Sequence, residues 1–214
     1  MGRSARRTAQ EGRSDAALNR AALVQAATAA VHREGIRVRL STIADDAGVG
    51  IGTLYRHFPT REDLLNHLTH RSFEMVLANA RSAESAASTG NEALRQFIEA
   101  AIALRDELVL PLHGGPPVTD RATMAVRDQV HRAIQRLIDR GRQDGTIKAD
   151  VTPRDIVALG AMLAQPKPIG PGWDAICRRL LSTYLTGLQS TAEVEGAATE
   201  GTGRAGVRPS NPER

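Results

Sequence analysis

The chain has 214 residues, 41% of them hydrophobic but only 3% aromatic, and its 28 Lys and Arg against 24 Asp and Glu give a net charge of +4. It has no run of eighteen apolar residues, which excludes a membrane span, and its basic N-terminus lacks the apolar stretch of a secretory signal. The one cysteine, Cys177, excludes an internal disulfide framework and a thiolate-cluster zinc site, so a cytoplasmic protein rich in helix is expected.

The elements follow in order. Residues 1–15 are expected to be a flexible basic arm carrying Arg3, Arg6, Arg7 and Arg13. Leu23, Ala27, Ala30 and Val31 make one apolar stripe on a first helix from about Asp15 to Glu34, with Gly35 placed as its left-handed cap. Leu40, Ile43, Ala44 and Ala47 give a short second helix that Gly48 ends. Ile51, Leu54, Tyr55 and Phe58 repeat that spacing in a third, which Pro59 stops. Thr60 and Asp63 form a capping box for a fourth helix, from Arg61 to about Ser82.

Later segments are longer. Helices are expected over 91–110 and 119–143, separated by the proline- and glycine-rich break at 111–117. Thr152, Pro153 and Asp155 open another, to about Ala164, and a last helix runs over 173–189. Residues 190–214 have almost no large apolar side chain and are expected to be a disordered tail. The fold class is therefore all-α, with about nine helices.

Residues 39–58 carry the chemistry. Two short helices around a glycine turn, each apolar on one face, make a helix-turn-helix. The first braces the second, and the second keeps a face free for a DNA major groove about 12 Å wide. Leu54 and Phe58 go to the core, while Thr53, Arg56 and His57 are left outside.

The run from Ile43 and Ala44 through Ala47-Gly48-Val49-Gly50-Ile51-Gly52-Thr53-Leu54-Tyr55-Arg56-His57-Phe58-Pro59-Thr60-Arg61-Glu62-Asp63-Leu64 resembles the signature of the TetR family of one-component regulators. The resemblance is strong over about 16–76. It implies a DNA-binding domain over those residues and an effector-binding and dimerisation domain over 77–189. It also implies a homodimer on a pseudo-palindromic operator, most often repressing and released by a small molecule. Tyr55 and His57 match the family's phosphate-contacting pair, and Gly52 and Thr53 match the start of the recognition helix. Ile51 stands where relatives carry a polar base reader, and an apolar side chain there can only touch a thymine methyl. Arg61 matches the basic residue opening the fourth helix. Arg39 replaces a usual Ser or Thr, which loses an N-cap and adds a charge, with Ser41 and Thr42 as nearby hydroxyl donors.

Bland readings stand beside these. Tyr55 lies on the apolar repeat and could pack in the core, and His57 could only cap a helix end. The arginine excess (Lys148 and Lys167 are the only lysines) is also what a GC-rich coding sequence produces. Gly48-Val49-Gly50-Ile51-Gly52 is no dinucleotide loop, because Tyr55 replaces the third glycine and no strand precedes it. His67 and His70 share a helix face but form no metal-site spacing, so a solvated surface is expected, and no cofactor is.

In the C-terminal half, helices 153–164 and 173–189 are more apolar than a small monomer needs, and they resemble the pair that forms the family's dimer interface. Gly160 and Ala161 would permit close helix approach. Candidate effector-pocket residues are Phe97, Leu104, Arg105, His113, Met124, His131, Met162, Trp173 and Cys177. Two rival functions remain. A helical small-molecule enzyme would need a nucleophile–base pair or metal set, which the sequence does not show. A ligand-independent activator or architectural DNA-binding protein would have a solid C-terminal core.

Overall fold

A computed structural model describes residues 2–166, 170 and 172–189, with side chains from Asp15 onward. Among them are eight α-helices and no strand: α1 (Gly2–Glu34), α2 (Leu40–Asp46), α3 (Ile51–His57), α4 (Arg61–Ala86), α5 (Gly90–Ala103), α6 (Arg121–Gln143), α7 (Pro153–Leu163) and α8 (Trp173–Gly187). Two 310 turns lie between α5 and α6, at Arg105–Glu107 and Pro111–His113.

Two boundaries differ from the sequence reading. Helix α1 begins at Gly2, where a flexible arm was expected. Residues 2–14 contain no proline and are mostly good helix formers, so the backbone continues the helix although the polar run has no apolar stripe. The helix expected over 91–110 ends at Ala103 and gives way to a 310 turn and extended chain. Pro111 pushes Leu110 out of helical conformation (φ −119°, ψ 151°), and Leu108 is extended too. The tail expected over 190–214 lies outside the described residues.

Helix ends follow local chemistry. Gly48 has φ 67°, and around it Val49 N–H donates to the Ala44 carbonyl and Gly48 N–H to that of Asp45, a Schellman closure of α2. Thr60 and Asp63 form the expected capping box: Asp63 N–H donates to Thr60 Oγ1 and Thr60 N–H to the Asp63 carboxylate, both at 3.0 Å. Thr152 N–H donates to the Asp155 carboxylate at 2.8 Å at the start of α7.

The apolar side chains gather into two clusters. One joins Leu23, Ala27 and Val31 of α1 with Ile43, Leu54, Phe58, Leu64 and Leu68. The other runs from Val76 through α5 and α6 to Leu188. Val109 belongs to the first cluster, although its neighbour Leu108 belongs to the second. Helices α5 and α6 cross where Gly90 meets Gly141: a Cβ on Gly90 would lie 2.2 Å from Gly141 Cα.

Candidate nucleic-acid interface and effector cavity

Helix α3 is held by its inner stripe alone. Leu54 is 0% exposed and Phe58 2%, whereas Ile51 is 42% and Tyr55 49% exposed. Gly52 and Arg56 are exposed beside them, and Thr53 and His57 are half-buried. The Arg56 guanidinium folds back along its own helix, donating to Thr53 Oγ1 at 2.9 Å and to the Gly52 carbonyl at 3.3 Å. Arg39 and Ser41 are exposed and Thr42 half-buried at the start of α2, where Arg39 makes no side-chain cap.

Arg61 is used differently from a free surface cation. Its Nη1 donates to the carbonyls of Ile36 and Val38, pinning the α1–α2 loop to the start of α4. The expected solvated surface at His67 and His70 is also corrected. The His67 ring lies 5.5 Å from Phe58, and its Nδ1 is 3.3 Å from an Arg20 nitrogen; His70 Nδ1 pairs with Thr123 Oγ1 at 3.0 Å. Both rings are half-buried links between helices because the i, i+3 face of α4 meets α1 and α6. Arg20 also sits 4.7 Å over the Phe58 ring. Burial, reinforced by Arg20, pushes the His67 pKa down. No group of three metal-ligating side chains occurs among the described residues.

A cavity of about 470 Å³ opens within the second cluster, walled by α4, α5, α6, α7 and the segment from Leu108 to Val118. Phe97, His113 and His131 line it. Met162 lines only a more open adjoining hollow, together with Leu112 and His131. The other five candidates are elsewhere. Leu104 packs at the end of α5 and Met124 is half-buried on α6. Arg105 pairs with Asp174 at 2.5 Å, Trp173 packs against the core, and Cys177 is 0% exposed with Sγ 3.5 Å from the Leu163 carbonyl. None of these five lines either hollow.

Sequence reasoning missed most of the wall: Phe73 and Val76, Arg127 and Ile134, Ile156 and Val157. Their apolar members repeat at ordinary core spacing, so nothing in the pattern separates a wall from a packed interior. Gly160 is a partial exception. It does not serve a close helix contact within the chain: a Cβ built there meets nothing within 4 Å, because the position faces the cavity.

The polar fittings of the cavity are few. Both ring nitrogens of His113 and Nε of Arg127 are buried without a hydrogen-bond partner among the described residues. Burial pushes the His113 pKa down; the nearby Ala161 carbonyl, outside hydrogen-bonding geometry, works the other way.

Comparison with known proteins agrees with this architecture. Residues 23–68 match the family of bacterial regulatory proteins, tetR family, and residues 91–190 match the C-terminal domain of SbtR-like transcriptional regulators. A TetR transcriptional regulator from Streptomyces coelicolor, SCO0520, is 32% identical with a TM-score of 0.54, over 80% of this chain and 99% of that one. A TetR regulatory protein from Mycobacterium vanbaalenii is 28% identical with a TM-score of 0.58, over 83% of this chain and 99% of that one. An HTH-type transcriptional regulator of Staphylococcus aureus is 32% identical over 68 residues, 31% of this chain and 37% of the relative's own length. The chain therefore spans little more than a third of that curated relative. The chain belongs to the TetR family of transcriptional regulators, whose helix-turn-helix corresponds to α2 and α3.

Proposed function

We propose that this chain is a homodimeric repressor that binds a pseudo-palindromic operator and leaves it when a small molecule fills the C-terminal cavity. The observation that carries the reading is the stance of α3: a helix anchored by two wholly buried side chains presents Ile51, Gly52, Tyr55 and Arg56 outward. Thr53, Arg56 and Ile51 are assigned to base edges. Tyr55, His57, Arg39, Ser41 and Thr42 are assigned to the phosphate backbone, which sets register and carries the salt dependence. On this reading residues 16–76 bind DNA and residues 77–189 bind the effector and the second copy.

Two further observations support the remaining parts. Met162 on α7 and Ile176 and Leu180 on α8 are 64%, 37% and 50% exposed, an apolar face of the kind a dimer covers. A two-fold dimer would set two α3 helices one DNA turn apart and multiply weak half-site binding. The cavity favours ligand control over a ligand-independent architectural role, which would suit a solid core. Ligand control requires unequal affinity of the ligand for the DNA-competent and released states.

The test is fluorescence anisotropy with the duplex upstream of the chain's own reading frame against a scrambled duplex. Tight binding to the first, with a steep loss on raising salt, is expected. Equal affinity for both at every salt concentration overturns the reading. Gly160→Leu should project into the cavity, keep operator binding and abolish release by any effector. Leu180→Glu should yield monomers by light scattering.

A further inference from the structure

We propose that the cavity takes a hydrophobic carboxylic acid, its alkyl or alicyclic body against the apolar walls and its carboxylate met by Arg127 and His113. This rests on the reading of the cavity as the effector site and narrows it to one ligand chemistry.

Three features carry the inference. First, Phe73, Phe97, Ile134, Ile156 and Val157 make the interior almost wholly apolar, which suits a hydrocarbon body. Second, the buried polar atoms left unpaired there are Arg127 Nε and the two His113 ring nitrogens. Buried polar groups are normally hydrogen-bonded, so atoms left open at a cavity wall are fittings for a ligand atom. Arg127 Nε can only donate, and His113, whose burial disfavours the charged ring, offers one N–H beside one acceptor nitrogen. Two donors on the lining of one cavity favour an acceptor-rich head.

Third, the charge is one-sided. Arg127 lines the cavity, and no Asp or Glu does so among the described residues. The carboxylate paired with Arg127, that of Asp128, lies 3.4 Å from Nη2 and is not part of the wall. A lipophilic amine would find no counter-charge and would face a permanent cation. A neutral alcohol can accept from both donors but brings no charge to match the guanidinium.

The test is calorimetric titration of the full chain, free of DNA, with decanoic acid, decanol and decylamine below their micelle concentrations. The acid should bind at least tenfold more tightly than the alcohol, and the amine should not bind. Arg127→Gln should erase the tenfold advantage of the acid while leaving decanol affinity within twofold. Should that variant not fold, His113→Asn should weaken the acid more than the alcohol. Equal binding of all three ligands, preference for the amine, no binding of the acid, or an unchanged acid advantage in the variant each overturns the proposal. Release of operator DNA is measured separately. Acid binding with unchanged operator affinity would refute effector control while leaving the ligand class standing. Release by an amine alone would do the reverse.

Discussion

The His32 Nε2 atom, in the last turn of α1, lies 2.9 Å from the carbonyl oxygen of Leu108, 76 residues further along the chain. A carbonyl only accepts, so this nitrogen carries the proton. The next residue, Val109, is 1% exposed inside the cluster around α1 to α4, and its N–H donates to Ser72 Oγ at 2.8 Å. Leu108 and Leu110 on either side both line the cavity. Extended chain alternates its side chains, so three consecutive residues face cavity, N-terminal core and cavity in turn. A ligand that displaces either leucine must move Val109 or its hydrogen bond.

His32→Ala is accordingly expected to keep operator affinity within about twofold but to cut the effector-induced loss of affinity, with roughly 1 kcal/mol of coupling removed. Val109→Ala should cost about 2 kcal/mol of stability, from two lost methyl groups and the space they leave. Operator titrations with and without effector check the first, and urea denaturation checks the second. Full coupling in both variants would show that this segment transmits nothing.

Arg61→Ala should act twice. Loss of its bonds to the Ile36 and Val38 carbonyls loosens the loop between α1 and α2 and lowers the melting temperature. If Arg61 also reaches phosphate, binding weakens equally on all sequences and the slope of log affinity against log salt falls by about one. A lower melting temperature with an unchanged slope would leave Arg61 a purely structural role.

Arg56→Ala and Thr53→Val should alter sequence preference rather than general affinity. The guanidinium now bonds to Thr53 Oγ1 and can swing to a base edge at little cost, because both groups stay near solvent. Loss of about 1–3 kcal/mol of discrimination at one or two base pairs is expected, read from binding to a library of operator variants. Equal loss on operator and random DNA would remove both from base readout.

Stability should fall as pH drops from about 7 to 5.5. His113 and His67 both have pKa values lowered chiefly by burial. The unfolded chain then binds protons around the ordinary histidine pKa of 6.5 that the folded chain refuses, so stability decreases with falling pH in that window. His113→Leu and His67→Gln should flatten the decline in melting temperature. The lowered carboxylates, Asp155 through its Thr152 hydrogen bonds and Glu84 through Arg136, act only at lower pH, as protonation releases those contacts.

Gly90→Ala should destabilise by about 1–3 kcal/mol despite the better helix propensity of alanine. The added carbon would lie 2.2 Å from the backbone of Gly141, so α5 and α6 must separate. Chemical denaturation measures the loss, and an unchanged midpoint would show that the crossing can relax.

Much of the helix-turn-helix unit was legible because one periodicity decides it. Leu54 and Phe58 fall on the inner stripe of α3, and Gly48 supplies the left-handed turn that any other residue would strain. Tyr55 lies on the same apolar repeat yet is half out in solvent, since a seven-residue helix has room to bury only part of its stripe. The segment from Leu104 to Leu110 was not legible. Its apolar residues fit a helical repeat, but Leu108 and Val109 serve two different cores, and only the tertiary arrangement separates them. The role of Arg61 was hidden for a related reason: a backbone carbonyl as partner leaves no trace in side-chain pattern. For the cavity, the sequence marked Phe97, His113, His131 and the proline-rich break, but not the rest of the wall.

Trp173 opens α8 one turn before Ile176 and two before Leu180, so the three share a flank of the helix. It is the sole indole in the chain, its ring packed on the core and its N–H buried without a partner among the described residues. The protein therefore carries a built-in optical gauge: ultraviolet emission from one known position will shift when that flank is covered or exposed, and self-association can be followed on unlabelled material at spectroscopic dilution.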